Sequence, residues 1–446
     1  MTITIHRGIE QIGGCITEIA SESGTKILID LGHNLPEGDN VAYDKYDNSD
    51  ELDKLLDGVS AIFYTHPHGD HIGFEVQVAQ RGIPQYLGET SKELMLLLKG
   101  HIAYSGKPQP MAEKEAFEKF LTFQAAKPVP IGDKIVVTPY FVSHSAPDAY
   151  MFLIECDNRL ILHTGDFREH GYRGKGLMPT IGTYIARRNI DILITEGTML
   201  SREDARLMSE NELKNKAVAM IDGYKSIFVM CSSMDADRMA SFYQAAMSKG
   251  MMFVVDGYQW KVLEKIENTL GRTSGLYRFP KRRYFAKHME EIRAASKTNG
   301  FLMMVRNNYR IRKFIDTIYP ELDSTKTCFI YSQFQGYIKK GHPAFQQKTY
   351  DFVNSHNWTI KHLHTSGHAS RETLTEVCKK VNPKLAIIPI HREAKSDFRK
   401  LDLPQELKDK VHTTDTTLED VKIIIIENCP PHKRPSQSIK SFVIQS

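Results

Sequence analysis

The spacing of apolar positions along this chain changes from section to section. Over the first 200 residues, short apolar runs bounded by turn residues read as strands: "TITIHR", "TKILIDLG", "AIFYT", "KIVVTPYFV", "YMFLIEC" and "DILIT". Between them "SKELMLLLKGHIAY" repeats its apolar residues at helical spacing. From about 205 to 355, the strand-like runs "SIFVM", "MFVV" and "CFIYS" alternate with helical stretches such as "DADRMASFYQAAMSK" and "YRIRKFIDTIY". That alternation predicts a parallel α/β sheet. From about 356, "WTIKHLHT", "KLAIIPIH" and "VKIIII" return to the strand-rich texture, with the helical "SRETLTEVCKKV" between the first two. The chain therefore divides into sections 1–204, 205–355 and 356–446, with no internal repeat and no low-complexity segment.

Composition narrows this picture only a little. With 446 residues, 41% hydrophobic and 25% charged, the chain is an ordinary globular protein able to bury a sizeable core. A net charge of +4 is small for this length, so bulk charge does not mark a nucleic-acid binder, and any such role must come from local patches. Six cysteines lie scattered with no CxxC pair, which suits a reducing compartment. "MTITIHRGIE" has no basic segment leading into an apolar one, and no run of about 18 apolar residues occurs. A cytoplasmic protein without a membrane span is the expectation.

One short stretch changes the picture. "THPHGDHIG", residues 65 to 73, packs His66, His68, Asp70 and His71 into a single turn. Each neutral imidazole carries a donor and an acceptor that need partners, and burying several unpaired is costly. A metal site answers that cost. An extended backbone turns His66 and His68 the same way, and Asp70 and His71 continue around the turn.

Other metal-capable residues also follow strands. His144 comes after "KIVVTPYFVS", Asp166 after "RLILHTG", and His391 after "KLAIIPI". Loops at strand ends are where rigid sheets place reactive groups. The set of five imidazoles and two carboxylates suits two divalent ions, zinc first and manganese as the alternative. Asp166 can bridge two such ions, and a water held between them would serve as a hydroxide nucleophile.

These motifs resemble the metallo-β-lactamase fold, whose HxHxDH signature "THPHGDHIG" matches. "SHSAPDAYMFLIE", "ILHTGDFREHG", "DILITEGTML", "HTSGHASRETL" and "AIIPIHRE" resemble, in order, the remaining motifs of its β-CASP branch, with the last two most like ribonuclease J. The resemblance implies an αββα sandwich with an inserted β-CASP α/β domain that caps the metal cleft. It implies that His66, His68 and His144 hold one metal, and that Asp70, His71 and His391 hold the other with Asp166 between them. Glu196 matches the acidic motif A, His368 motif B and His391 motif C. In the family the acid orients the motif B histidine, which protonates the leaving oxygen of a phosphodiester. Asp30 in "ILIDLG" matches a strand-end aspartate that orients the metal histidines, where a turn-forming role is the plain alternative.

Substrate contacts read less sharply. Ser366, Gly367 and His368 precede a helix whose amides favour an anion, although Ser366 or Ser370 serves equally as a helix cap. Ser232 and Ser233 in "CSSMDADR" faintly resemble a β-CASP stretch that contacts substrate backbone. "FPKRRYFAKH" interleaves Lys281, Arg282, Arg283 and Lys287 with Tyr284 and Phe285, a pattern that can pair with phosphates and stack on bases. Two departures stand out. Ribonuclease J carries a further C-terminal domain that supports dimer assembly, whereas this chain ends at 446. Its segment rich in serine, proline and glycine is replaced here by "IYSQFQGYIKKG", so exonuclease behaviour and 5′-end choice are not implied. The resemblance implies a two-metal nuclease on nucleic acid, single-stranded RNA ahead of DNA. The rival readings are a DNA repair or defence nuclease, a small-molecule lactone or amide hydrolase, and a non-catalytic scaffold.

Overall fold

Each apolar run of the first section becomes a strand. β1 (Thr2–Arg7), β2 (Ile16–Ala20), β3 (Lys26–Ile29), β4 (Val59–Phe63), β5 (Gln85–Gly88) and β6 (Leu121–Phe123) come first. They are followed by β7 (Val129–Ile131), β8 (Ile135–Val142), β9 (Ala149–Cys156), β10 (Arg159–His163) and β11 (Ile192–Glu196). The middle section supplies β12 (Ser226–Met230), β13 (Met252–Val255), β14 (Arg282–Tyr284), β15 (Phe301–Val305), β16 (Thr327–Tyr331) and β17 (Thr359–His362). β18 (Ala386–Ile390), β19 (Thr416–Leu418) and β20 (Val421–Ile425) complete the set. The computed structural model describes residues 1–40, 42–103, 108–202 and 207–426. Of these, the residues within 1–35, 42–207 and 367–426 form one compact unit, and those within 36–40 and 208–366 form another.

The first unit is built on two sheets. One has eight strands in the order β19-β20-β1-β2-β3-β4-β5-β6, and the other six, in the order β18-β11-β10-β9-β8-β7. Period-two alternation sends Ile3, Ile5, Ile27, Ile29 and Phe63 from one sheet, and Val137, Phe152, Ile154, Ile192 and Ile194 from the other, into one shared core. The opposite face of the second sheet, through Leu153, Leu162, Leu193 and Ile387, buries Leu374, Val377, Cys378 and Val381 of helix Arg371–Val381. Helix Glu89–Ala103 packs beside β5 and β6 of the first sheet. The layers are helix, sheet, sheet, helix. Each fully buried aliphatic or phenyl side chain contributes about 1.5–3 kcal/mol to that arrangement. Pro389 sits within β18, which is tolerable because β18 is the edge strand of its sheet.

The second unit carries a six-stranded sheet in the order β14-β13-β15-β12-β16-β17, with every described pairing parallel. β12, β15 and β16 are buried at every position, so they read as continuous apolar runs and not as alternation. "WTIKHLHT", which the sequence grouped with the section returning at 356, forms β17 and pairs in parallel with β16 here. Its texture is strand-like in either sheet, and only the pairing partner decides between them. Arg238 is buried in this unit, within 2.9 Å of the equally buried Glu210 and within hydrogen-bonding distance of Ser332 and the Thr365 carbonyl.

Strand direction positions the chemistry. β8, β10, β11 and β18 run the same way, because β9 pairs antiparallel with both β8 and β10 while β10, β11 and β18 pair in parallel. Their carboxyl ends therefore share one edge of the second sheet, where Glu196 ends β11 and His144, Asp166 and His391 follow their strands. β3 and β4 likewise run parallel and end at Asp30 and the 65–73 turn.

Candidate metal centre

The 65–73 turn leaves β4 and is held by its own backbone: the His71 and Ile72 amides donate to the His68 carbonyl. Asp70 in turn accepts from the Cys15 amide through its carbonyl. Gly32 lies against this turn so closely that a Cβ would fall 1.8 Å from the Asp70 carbonyl oxygen. Only glycine fits there.

Three imidazoles converge on one side. His68 Nδ1 lies 3.0 Å from His66 Nε2 and 3.1 Å from His144 Nε2. On the other side His391 Nε2 lies 3.2 Å from Asp70 Oδ2, and His71 Nε2 lies 3.8 Å from the same oxygen. Asp166 Oδ2 stands between the two halves, 3.1 Å from His71 Nε2, 3.5 Å from His391 Nε2 and 3.9 Å from His66 Nε2. His66, His71, His144, Asp166 and His391 are all buried.

Four rings are fixed from behind through Nδ1. His144 donates to the Gly367 carbonyl at 2.7 Å, and His71 to Asp30 Oδ2 at 2.8 Å. His391 donates to the Thr198 hydroxyl at 2.7 Å, which itself donates to the His391 carbonyl. His66 donates to the Thr65 hydroxyl at 3.0 Å, and that hydroxyl donates to Asp30. Each bond holds a proton on Nδ1 and turns Nε2 toward the cluster. Asp30 and His391 both leave their strands at positive φ, 60° and 52°. Such non-glycine conformations cost about 1–3 kcal/mol and persist where the surroundings over-determine them.

The electrostatics differ between the halves. Burial, reinforced by neighbouring imidazoles, holds His66 and His144 well below the usual histidine range and brings His68 down to about 4. These three rings are neutral at pH 7 and present lone pairs. His71 moves the other way: burial alone would lower it, but Asp166, Asp30 and Asp70 raise it well above the ordinary value. Burial opposes ionisation of Asp70 and Asp166 too, yet imidazoles, chiefly His71 for Asp70 and His391 for Asp166, hold both well below the carboxylate range. A neutral trio beside a carboxylate-rich pocket that demands a cation is the donor set two divalent ions require. His71 Nε2 is buried and makes no hydrogen bond despite its closeness to Asp166, so its direction suits a ligand better than a hydrogen-bond donor. The residues present fit two metal ions.

Beside the cluster, Glu196 is buried and fully engaged. Its Oε1 accepts from the Phe167 and Ala369 amides at 2.9 and 3.3 Å, and its Oε2 faces His368 Nδ1 at 3.0 Å. His368 Nδ1 is also 3.5 Å from Asp166 Oδ2. Burial alone would lower His368, but the Glu196 and Asp166 carboxylates raise it to about 9.

The remaining sequence candidates fall elsewhere. Ser366 belongs to the second unit, while Gly367 and His368 belong to the first. Ser370 is the cap of helix Arg371–Val381, accepting from the Thr373 amide. In the second unit the Ser232 hydroxyl accepts from the Met234 amide, and buried Ser233 accepts from the Gln259 side chain. The basic and aromatic stretch is largely consumed by packing. Arg282 pairs with Glu267 at 2.7 Å and covers the Trp260 ring, and Phe285 packs on Phe314. Lys281 and Lys287 stay exposed. Charge alternating with aromatics looks alike in a stacking platform and in a strand edge packed onto a core. Thr65, Thr198 and the Gly367 carbonyl, which orient the imidazoles, were not singled out by sequence, since hydroxyls and carbonyls carry no metal-ligand signature. Cys15 was also passed over, yet its Sγ lies within 4.8 Å of ring nitrogens of both His71 and His391.

Comparison with known proteins agrees with this geometry. Residues 16–196 match the metallo-beta-lactamase superfamily, and residues 357–412 match the Zn-dependent metallo-hydrolase RNA specificity domain. The chain therefore carries a metallo-β-lactamase superfamily domain, and the 65–73 turn, the strand-end histidines and the buried acid described above all lie in or beside the two matched segments. The second matched segment and the ribonuclease J relatives are what make it similar to the β-CASP branch. It is 26% identical over 224 residues to Transcription termination factor FttA of Methanothermobacter thermautotrophicus, covering 47% of this chain and 34% of the relative. It is also 26% identical over 194 residues to Ribonuclease J of Mycoplasma genitalium, covering 43% of this chain and 32% of that protein. The match thus spans about a third of the length of these curated relatives. A solved structure, a protein of unknown function from Enterococcus faecalis V583, shares the fold with a TM-score of 0.64 at 19% identity, over 91% of this chain and 98% of that one. Among the described residues no helix is long and apolar enough to cross a membrane.

Proposed function

We propose that this protein is a two-metal phosphodiesterase of the cytoplasm that hydrolyses single-stranded RNA. The observation that carries the reading is the Glu196–His368 pair at 3.0 Å, set 3.5 Å from Asp166 at the margin of the ligand cluster. A lactone or amide hydrolase needs the metal ligands but has less use for a second, carboxylate-held imidazole. The RNA specificity domain matched over 357–412 contains His368 and His391, which favours RNA over DNA.

When bound by His66, His68 and His144 on one side and Asp70, His71 and His391 on the other, with Asp166 between, two divalent ions such as zinc would neutralise phosphate charge and activate water. The chain's own residues do the rest. Glu196 holds His368 by Nδ1 and keeps the ring protonated at neutral pH, so that His368 gives its proton to the leaving oxygen through Nε2. The two amides on Glu196 Oε1 keep that carboxylate from turning away. Asp30 aligns His71 directly and His66 through Thr65. Gly367 fixes His144 through its carbonyl while its neighbour His368 acts on substrate.

The test uses zinc- or manganese-loaded protein with end-labelled single strands of RNA and of DNA, bearing 5′-phosphate or 5′-hydroxyl, beside an Asp70→Ala, His71→Ala double variant. Cleavage of RNA by the intact protein alone is the expected result, and product lengths then read exonuclease against endonuclease. Two bound metals with every strand left intact would overturn the proposal, and cleavage of DNA alone would move the substrate to DNA.

A further inference from the structure

The loop between β1 and β2 brings one more donor to the cluster. Cys15 is 1% exposed, and its Sγ lies within 4.8 Å of a ring nitrogen of His71 and one of His391. Its backbone is tied to the same subsite: the Cys15 amide donates to the Asp70 carbonyl at 3.1 Å, and the Gly32 amide donates to the Cys15 carbonyl at 3.2 Å. Gly8, at φ +115°, makes the room, since a Cβ there would lie 3.3 Å from Cys15 Sγ and 3.4 Å from the His391 amide nitrogen. An independent observation points to a ligand at this spot: His71 Nε2 is buried, aimed into the cluster and without a hydrogen bond.

We infer that Cys15 Sγ is a further ligand of the Asp70–His71–His391 subsite, giving it a mixed sulfur, nitrogen and oxygen donor set that selects zinc over manganese. The inference rests on the two-metal reading above and supplies the metal's identity. Zinc–sulfur bonds of about 2.3 Å and zinc–nitrogen bonds of about 2.0–2.1 Å bring two donors on one ion to within about 4.4 Å of each other. Binding an ion would draw Cys15 Sγ and the two ring nitrogens, now within 4.8 Å, toward that span. As the sulfur–metal bond forms, the thiol proton passes to solvent and no electrons change hands. Manganese prefers oxygen donors and gains little from a thiolate, whereas zinc and cobalt gain much.

Cobalt-loaded protein, with no substrate present, provides the test. With two cobalt ions per chain, the native protein should show an intense thiolate-to-cobalt charge-transfer band in the near ultraviolet. Cys15→Ser should lose that band while keeping its visible cobalt bands. Its preference for zinc over manganese at one of the two sites should fall by about 10- to 100-fold, the scale on which a neighbouring group tunes a metal site. Zinc-edge X-ray absorption of the native two-zinc protein should show a sulfur scatterer at about 2.3 Å, which holds whether or not the variant folds. A two-cobalt protein without the band, a band that survives Cys15→Ser, or a zinc shell of nitrogen and oxygen alone would overturn the role of Cys15 and leave the two-metal reading standing. Protein that takes up no cobalt or zinc would overturn both.

Discussion

Asp30 and His71 are joined at 2.8 Å, and the same carboxylate accepts from the Thr65 amide and hydroxyl at 2.7 and 2.9 Å. One buried aspartate thereby orients two histidines of the cluster, His71 directly and His66 through Thr65. Replacing it with asparagine keeps the volume but removes the charge that holds both rings. Asp30→Asn is expected to weaken metal binding about 10- to 100-fold with the fold intact. Chelator competition followed by circular dichroism measures it, and unchanged affinity would contradict the role.

The Glu196–His368 pair predicts a different signature. Glu196→Gln leaves every proposed metal ligand in place but removes the charge that keeps His368 protonated. The expected result is a rate on RNA lower by roughly 10²–10⁴-fold with metal content unchanged. Measuring both on one preparation separates this outcome from simple loss of metal.

Metal-stripped protein should be most stable near neutrality. His68 and His163 fall to about 4 through burial, and His66 and His144 are lowered too. Each binds a proton in the unfolded chain near pH 6.5 but not in the folded one. Their stabilisation is therefore complete above pH 6.5 and lost as the pH falls, for His68 and His163 toward 4. His71 and His368 are raised, so their contribution is present below 6.5 and lost as the pH rises, for His368 through about 9. Melting temperatures in excess chelator should decline on both flanks, and a flat profile from 4 to 6.5 would refute the assignment.

Gly32→Ala probes the turn itself. A methyl group 1.8 Å from the Asp70 carbonyl oxygen must displace the backbone that carries Asp70 and His71. Overpacking of this kind costs roughly 1–3 kcal/mol, and the variant should lose metal at the Asp70 subsite before it loses its fold. Metal stoichiometry at a temperature well below melting gives the answer.

In the second unit, Arg238→Met leaves Glu210 buried without its guanidinium. Breaking a buried pair from one side costs about 3–5 kcal/mol. Adding Glu210→Met should restore much of that loss, and thermal unfolding of the single and double variants compares them directly.

What the sequence made legible follows from what has a local signature. The 65–73 turn, the strand-end positions of His144, Asp166 and His391, and the alternating middle section all announce themselves through spacing. The partners that orient the rings do not: Thr65, Thr198 and the Gly367 carbonyl are chosen by three-dimensional proximity alone. β17 shows the same limit, since its apolar texture is indifferent to which sheet receives it. "FPKRRYFAKH" misled in the opposite direction, because the Glu267 and Trp260 that occupy Arg282 lie earlier in the chain.

β11 and β18 are neighbours in one sheet, registered from Ile192 against Ala386 to Glu196 against Ile390, although an entire second unit is threaded between them in sequence. His391 follows the last of these strands. A ribosome therefore finishes His66, His68, Asp70 and His71 long before it finishes the residues that complete their cluster. A chain that stops short of β18 has the opening turn and no closing histidine, so the cluster is complete only once the second unit and β18 have also been made.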